Sequence, residues 1–394
     1  NQSTRFTHII ARSISALLGT LTICIVFAIG RRLGGYWVGL GSALLIAFSP
    51  IHIQQSHFYT VDTTFTFWAS LALLLMLRLP SDRIPLYAIC GAACGLAAGT
   101  RLIGILLAIP FIITHFIQPS DGSLFQRGNF LPLFKKKLRE IYRPIPICLA
   151  TLTAALFTIL GEPDLLFNWQ NVTSSRDLFL FSGAVKVARG DMVQIWTLYD
   201  YSTLPYLHYI THHLPHAMGL PAAIAGFIGL ALALWYRPVP ALILIAWIIP
   251  YFFMVGGLHA KPIRYALPLL PPLAILGSWA CFTLGKKIQQ PSWAFVLPLT
   301  LIGLSTTILG IAQMRIYTAP DGRFTAASWI AQNIPKGDAI LVERGGFPTG
   351  WMAPEDQYNT RPMQGAYFID AEGFLPYWGQ VNFIQSRLDG MRWL

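Results

Sequence analysis

Apolar residues in this chain come in long blocks separated by short polar connections, not in a two-residue or helical rhythm. Blocks of this kind mark repeated membrane crossing. They predict about ten helical spans: Ile9–Ile29, Tyr36–Phe48, Thr63–Leu77, Ile84–Gly99, Leu102–Ile117, Ile145–Leu160, Leu220–Trp235, Val239–Val255, Tyr265–Leu284 and Trp293–Ala312. Several are shorter than the roughly 20 residues that cross a bilayer squarely, so boundary residues are expected to complete them. After Gln313 the pattern changes: Thr325–Asn333 predicts a short helix, Ile334–Asp338 a turn and Ala339–Glu343 a strand. The expected architecture is therefore an all-α polytopic membrane domain over 1–312 and a small α/β region over 313–394, incomplete because Leu394 stops it in mid-pattern. The natural N-terminus is likewise expected upstream of Asn1, and no targeting motif is visible.

Composition agrees: 54% of the 394 residues are hydrophobic and 11% charged, against about a quarter charged in soluble domains. The net charge of +11 lacks the interleaved basic and aromatic motifs of nucleic-acid binders, which argues against a nucleic-acid partner. It reads instead as topology. One alternate set of connections holds Arg31 and Arg32, Arg78 and Arg83, the basic run from Arg127 to Arg143, Arg237, and Lys286 with Lys287. The other set holds none in Ser49–Thr64, then Arg101, three cations in Gly161–Met218, and Lys261 with Arg264. By the positive-inside rule the first set is cytoplasmic, and the second set and the tail lie outside a cell membrane. Gly161–Met218 is rich in aromatics (Trp169, Phe179, Trp196, Tyr199, Tyr201) and is expected to be partly helical along the membrane surface. The five cysteines lie in apolar runs without zinc spacing, so no disulfide framework is expected.

Ser49–Thr64, SPIHIQQSHFYTVDTT, is a polar island between two apolar runs, with His52, His57, Tyr59 and Asp62 and no Lys or Arg. A carboxylate between membrane segments is a functional candidate by default; the bland reading makes Asp62 the N-cap of a helix starting at Thr63. Further candidates on the same face are Glu162, Asp164, Asp177, Asp191 and Asp200. Arg101, after GAACGLAAGT, and Lys261 and Arg264, in GGLHAKPIRYALPLLPP, are cations at membrane depth that suit a lipid phosphate: arginine as a planar fork, lysine as a point charge. The alternative for each is snorkelling to ordinary headgroups. His212, His213 and His216 in THHLPHAMG read as interfacial histidines, because Pro215 interrupts the spacing a metal needs. No Gly-rich phosphate loop, nucleophile elbow or HExxH motif is present, and Asn171-Val172-Thr173 is a formal sequon.

The ordered set ARSISALLGTL, GRRLGG, SPIHIQQSHFYTVDTTFTFW, GAACGLAAGTRLIGILLAIP, TLPYLHYITHHLPHAMGLP, KPIRYALPLLPPLA and AASWIAQNIPKGDAI resembles the family 39 type of integral-membrane glycosyltransferases. That family contains the dolichyl-phosphate-mannose protein mannosyltransferases and bacterial aminoarabinose transferases. The resemblance implies a GT-C fold and transfer of a sugar, with inversion, from a polyprenyl-phosphate donor to a hydroxyl on a protein, lipid or glycan at the outer face of the bacterial cytoplasmic membrane. It carries a catalytic role to the pattern His57–Asp62, with Asp62 as its acid, and donor-phosphate contacts to Arg101, Lys261 and Arg264. The family's first acidic motif, which supplies the presumed base, is absent from this chain. No cofactor is certain, and a divalent metal is left open. A transporter or flippase of polyprenyl-linked substrates is the rival class, disfavoured by the lack of an internal repeat and by the long outer connection and tail.

Overall fold

The computed structural model describes residues 2–79, 83–116, 144–168, 181–191, 203–236, 238–287, 293–319, 322–343, 357–363, 369–370 and 373–374. The basic run Arg127–Arg143, Arg237, the sequon, and Trp169, Asp177, Phe179, Trp196, Tyr199, Asp200 and Tyr201 lie outside the described residues. The chain forms two compact units, Asn1–Ser174 with Leu204–Met314, and Ser175–Thr203 with Arg315–Leu394.

The first unit is helical because a chain in hydrocarbon must satisfy its own backbone polar groups. Its elements are α1 (Gln2–Gly34), α2 (Tyr36–Ala47), α3 (Pro50–His57), α4 (Val61–Met76), α5 (Ile84–Thr100), a 3-10 segment (Leu102–Leu107) leading into α6 (Ala108–Phe116), α7 (Pro144–Gly161) and the short α8 (Asp164–Phe167). After Leu204 come a π-helical turn (Tyr209–His213), α9 (Leu214–Met218), α10 (Leu220–Tyr236), α11 (Val239–Gly256), a second 3-10 segment (Ile263–Leu269), α12 (Leu270–Lys287) and α13 (Trp293–Thr318). Over their described residues the ten apolar runs predicted above are helical except at a few ends such as Phe48 and Leu77. Among the described residues four helices are long and apolar enough to cross a membrane, and six if each of two bent pairs counts as one span. Val61–Met76, Ile84–Thr100, Leu102–His115 and Ile145–Gly161 are shorter.

The polar stretch differs from the loop expected of it. Pro50 starts α3 at its first turn, where a missing N–H costs nothing, and α3 departs from α2 by 60°. The second bent pair turns by 118° at Gly219, whose φ of +89° only glycine adopts without strain. Side chains from elsewhere take up carbonyls freed at the second break: the Ser49 hydroxyl donates to Ala217 O (2.6 Å) and Thr306 donates to Met218 O (3.0 Å).

Close approach of helices rests on small residues, as is usual where lipid supplies no hydrophobic drive between helices. Gly91, Gly95 and Gly99 form one stripe of α5 against α7; a Cβ on them would run into the carbonyls of Ala150, Ala154 and Thr158. Gly226 and Gly229 of α10 meet Leu273 and Leu276 of α12 in the same way. At the far end of α4 from Asp62, Arg32 of α1 donates to Leu77 O (2.8 Å). Fifteen residues of α4 separate the two points, about 22 Å at a helical rise of 1.5 Å.

In the second unit, helices span Phe181–Arg189 and Gly322–Asn333. A turn at Gly337 (φ +94°) leads to β1 (Ala339–Glu343), which pairs in parallel with β2 (Asn359–Met363).

Candidate functional site

Asp62 sits in the first turn of α4, its side chain 1% exposed. The helix begins at Val61, so Asp62 is not its N-cap; Thr60 holds that position without a side-chain cap. Arg101, the residue that ends α5, places Nη2 2.9 Å from Asp62 Oδ1, and Arg264 places Nε 3.8 Å from Oδ2. Neither carboxylate oxygen receives an aligned hydrogen bond among the described residues. Both guanidinium groups also lie over the Tyr265 ring, at 4.7 Å for Arg101 and 5.9 Å for Arg264. Such contacts contribute roughly 0.5–2 kcal/mol each, more when desolvated. Two cations against one acid leave the cluster at net +1. The Arg264 side chain is 48% exposed, so the excess charge has an outlet.

The surrounding helices explain this placement. The α5–α7 glycine stripe ends at Gly99, two residues before Arg101, so the close helix contact fixes where that arginine emerges. Beneath Asp62, Phe65 of α4 stacks on Tyr251 of α11 (6.2 Å), which lies 4.9 Å from Trp247. These two α11 side chains reach across to the cation-bearing segment: Tyr251 OH donates to Tyr265 O (3.1 Å) and Trp247 Nε1 to Pro268 O (3.1 Å). The 3-10 segment with its internal Pro268 leaves carbonyls to be taken in this way.

Asp62, Arg101 and Arg264 thus meet as their shared face implied. Lys261 is on the same segment but turned inward: its side chain is buried and Nζ donates to His259 O (2.9 Å). His57 is exposed at the end of α3 with its ring edge-on to Phe58 (5.6 Å). His52 is buried against Gly19 O of α1 (3.3 Å). Glu162 and Asp164 are exposed around α8. His216 Nδ1 donates to His212 O, while the His212 ring stacks on His208 (4.7 Å). Among the described residues no group of three or more His, Cys, Asp or Glu side chains is arranged to hold a metal. The neighbours of Asp62 are cations, a donor set that fits an anion and does not fit a divalent ion. Tyr265, Tyr251 and Trp247 escaped sequence reasoning, and His213 is read from sequence only as an interfacial histidine. Of the first three only Tyr265 carried a signal, by adjoining Arg264.

Residues 4–135 match the sequence profile of the family described as dolichyl-phosphate-mannose-protein mannosyltransferase. The chain is 26% identical over 318 residues to the undecaprenyl phosphate-alpha-4-amino-4-deoxy-L-arabinose arabinosyl transferase 1 of Pseudomonas fluorescens (strain Pf0-1), covering 76% of this chain and 48% of that protein. It therefore spans about half the length of that relative. The apo crystal structure of ArnT from Cupriavidus metallidurans overlays it with a TM-score of 0.52 at 17% identity, covering 89% of this chain and 71% of that one. The chain is thus a polytopic helical membrane protein with the GT-C fold, and it resembles the integral-membrane glycosyltransferases of the mannosyltransferase and arabinosyl transferase type.

Proposed function

We propose that this chain belongs to an inverting glycosyltransferase that takes a sugar from a polyprenyl-phosphate donor and passes it to an acceptor hydroxyl at the extracytoplasmic face of the cell membrane. The observation that carries the reading is the Asp62–Arg101–Arg264 cluster: a buried acid that orients two guanidinium groups and leaves a net positive charge at one end of the helical domain. Displacing a lipid phosphate requires preorganised cations on the leaving oxygens, and Arg264 offers its terminal nitrogens from a half-exposed side chain. Asp62, locked between two cations and out of water, is suited to positioning them. The base is assigned elsewhere in the whole protein. His57 is exposed close by in sequence and remains placed to meet an acceptor. Residues 1–312 form the transferase domain in this reading, and 313–394 begin an extracytoplasmic region.

The purified chain in detergent is expected to bind undecaprenyl phosphate, and Arg264→Ala to weaken that binding roughly tenfold, since a charge-assisted hydrogen bond contributes about 1.5–3 kcal/mol. Titration with the lipid followed by tryptophan fluorescence reads the difference. Equal affinity of both proteins would remove Arg264 from the phosphate site.

Sidedness follows from the charge asymmetry. In a chain stripped of its native cysteines, Tyr59→Cys (exposed beside the cluster) is expected to react with an impermeant thiol reagent in intact cells. Tyr36→Cys, also exposed and near Arg31 and Arg32 in sequence, is expected to react only after permeabilisation. The reverse pattern places the cluster in the cytoplasm.

A further inference from the structure

The cations of the candidate site stand on a segment with little regular structure of its own. Between Gly257 and Ile263 no helix runs, and Ile263–Leu269 is 3-10. Backbone of this kind at membrane depth needs its polar groups satisfied by other parts of the protein. Tyr251 and Trp247 do this for Tyr265 and Pro268. Upstream of Arg264 the partner comes from a different element. His213, last residue of the π-helical turn, bonds through Nε2 to the carbonyl of Lys261. A carbonyl can only accept, so Nε2 carries the proton. The ring is held in that pose by two neighbours, Tyr209 edge-on at 4.7 Å and His208 at 4.5 Å, and Tyr209 is itself fully buried. π-helical turns recur at functional sites, and this one is tied at its other end. Four residues beyond His213, Ala217 O accepts the Ser49 hydroxyl, from the residue that opens the stretch leading to Asp62. A single short helical piece, Tyr209–Met218, is therefore bonded both to the Lys261 carbonyl and to the Ser49 side chain.

The geometry points to His213 as a positioning residue of the donor site: through the Lys261 carbonyl it sets where the Lys261–Arg264 segment, and so the Arg264 guanidinium, stands relative to Asp62. This rests on the donor-phosphate reading above. Two variants separate positioning from mere packing. His213→Phe keeps a ring against Tyr209 and His208 and removes the donor; His213→Gln keeps an N–H that can reach the carbonyl. His216→Ala, on the same face of sequence but exposed, is the control.

Hydrogen exchange of the 259–265 amides and affinity for undecaprenyl phosphate are measured on the whole chain in nanodiscs. His213→Phe is expected to speed exchange in 259–265 and to weaken lipid binding five- to tenfold, about what one lost hydrogen bond explains. His213→Gln is expected to restore most of both, and His216→Ala to change neither. Unchanged exchange in His213→Phe overturns the tie itself. Faster exchange with parental affinity overturns the positioning role while leaving the donor reading intact. If the parent chain fails to bind the lipid, the donor reading falls and takes the positioning role with it. Failure of His213→Gln to recover more than His213→Phe also overturns the proposal, because returning an N–H donor to the Lys261 carbonyl would then restore nothing.

Discussion

Replacing Arg101 with alanine is expected to lower the thermal midpoint of the solubilised chain sharply and to abolish binding of a polyprenyl phosphate. The carboxylate of Asp62 is 1% exposed and has Arg101 at 2.9 Å but Arg264 only at 3.8 Å. Removing one partner of a buried pair costs about 3–5 kcal/mol, because the other is left charged and out of water. The remaining arginine brings the expected loss to the lower end of that range. Asp62→Asn combined with Arg101→Ala removes the orphaned charge and should recover most of the stability, yet none of the binding. Thermal unfolding of the two single variants and the double variant measures the coupling directly. Additive losses would mean that the pair is a surface coincidence and that burial of Asp62 has another cause. Arg101→Lys should restore stability better than binding, since an ammonium answers the charge but lacks the planar fork.

Gly95→Leu is expected to be the most damaging single change away from the cluster. A side chain there is driven into the carbonyl of Ala154, with the same obstruction one turn away at Gly91 and Gly99. Backbone cannot rotate aside as a flexible side chain would, so α5 and α7 must separate. Overpacking of a tight contact costs about 1–3 kcal/mol, occasionally more, and here the cost is compounded by displacement of Arg101 at the end of the same helix. Gly303→Leu is the matched control, because nothing lies within 4 Å of a Cβ at that position. Size-exclusion profiles and thermal midpoints in one detergent compare the two. Similar behaviour of both variants would argue against the glycine stripe as the seam that sets α5 on α7.

Asp62, Arg101 and Arg264 were legible from sequence because charges are conspicuous in an apolar chain, and topology put all three on one face. The small-residue run before Arg101 was legible as well, but not its partner: any helix could have met it, and only the structure shows Ala150, Ala154 and Thr158 opposite. The polar residues of Ser49–Thr64 read as a connection. At membrane depth the backbone's need for internal bonds outweighs side-chain polarity, and α3 forms. Lys261 illustrates the limit from the other side. Its charge marked it as a phosphate contact, whereas its side chain turns back to His259 O. His213 stands out in the sequence only as part of a histidine cluster, since its bond goes to a carbonyl 48 residues away.

The short helices have a consequence for the membrane around them. Val61–Met76 and Ile84–Thr100 hold 16 and 17 residues, roughly 24–26 Å of rise, against a hydrocarbon thickness of about 30 Å. Such mismatch is relieved by compressing the bilayer or drawing polar groups inward. The ends of these two helices carry Asp62 and Arg101. In the donor reading proposed above, a lipid phosphate then has less depth to cover between the headgroup layer and the guanidinium groups than full-length helices would impose.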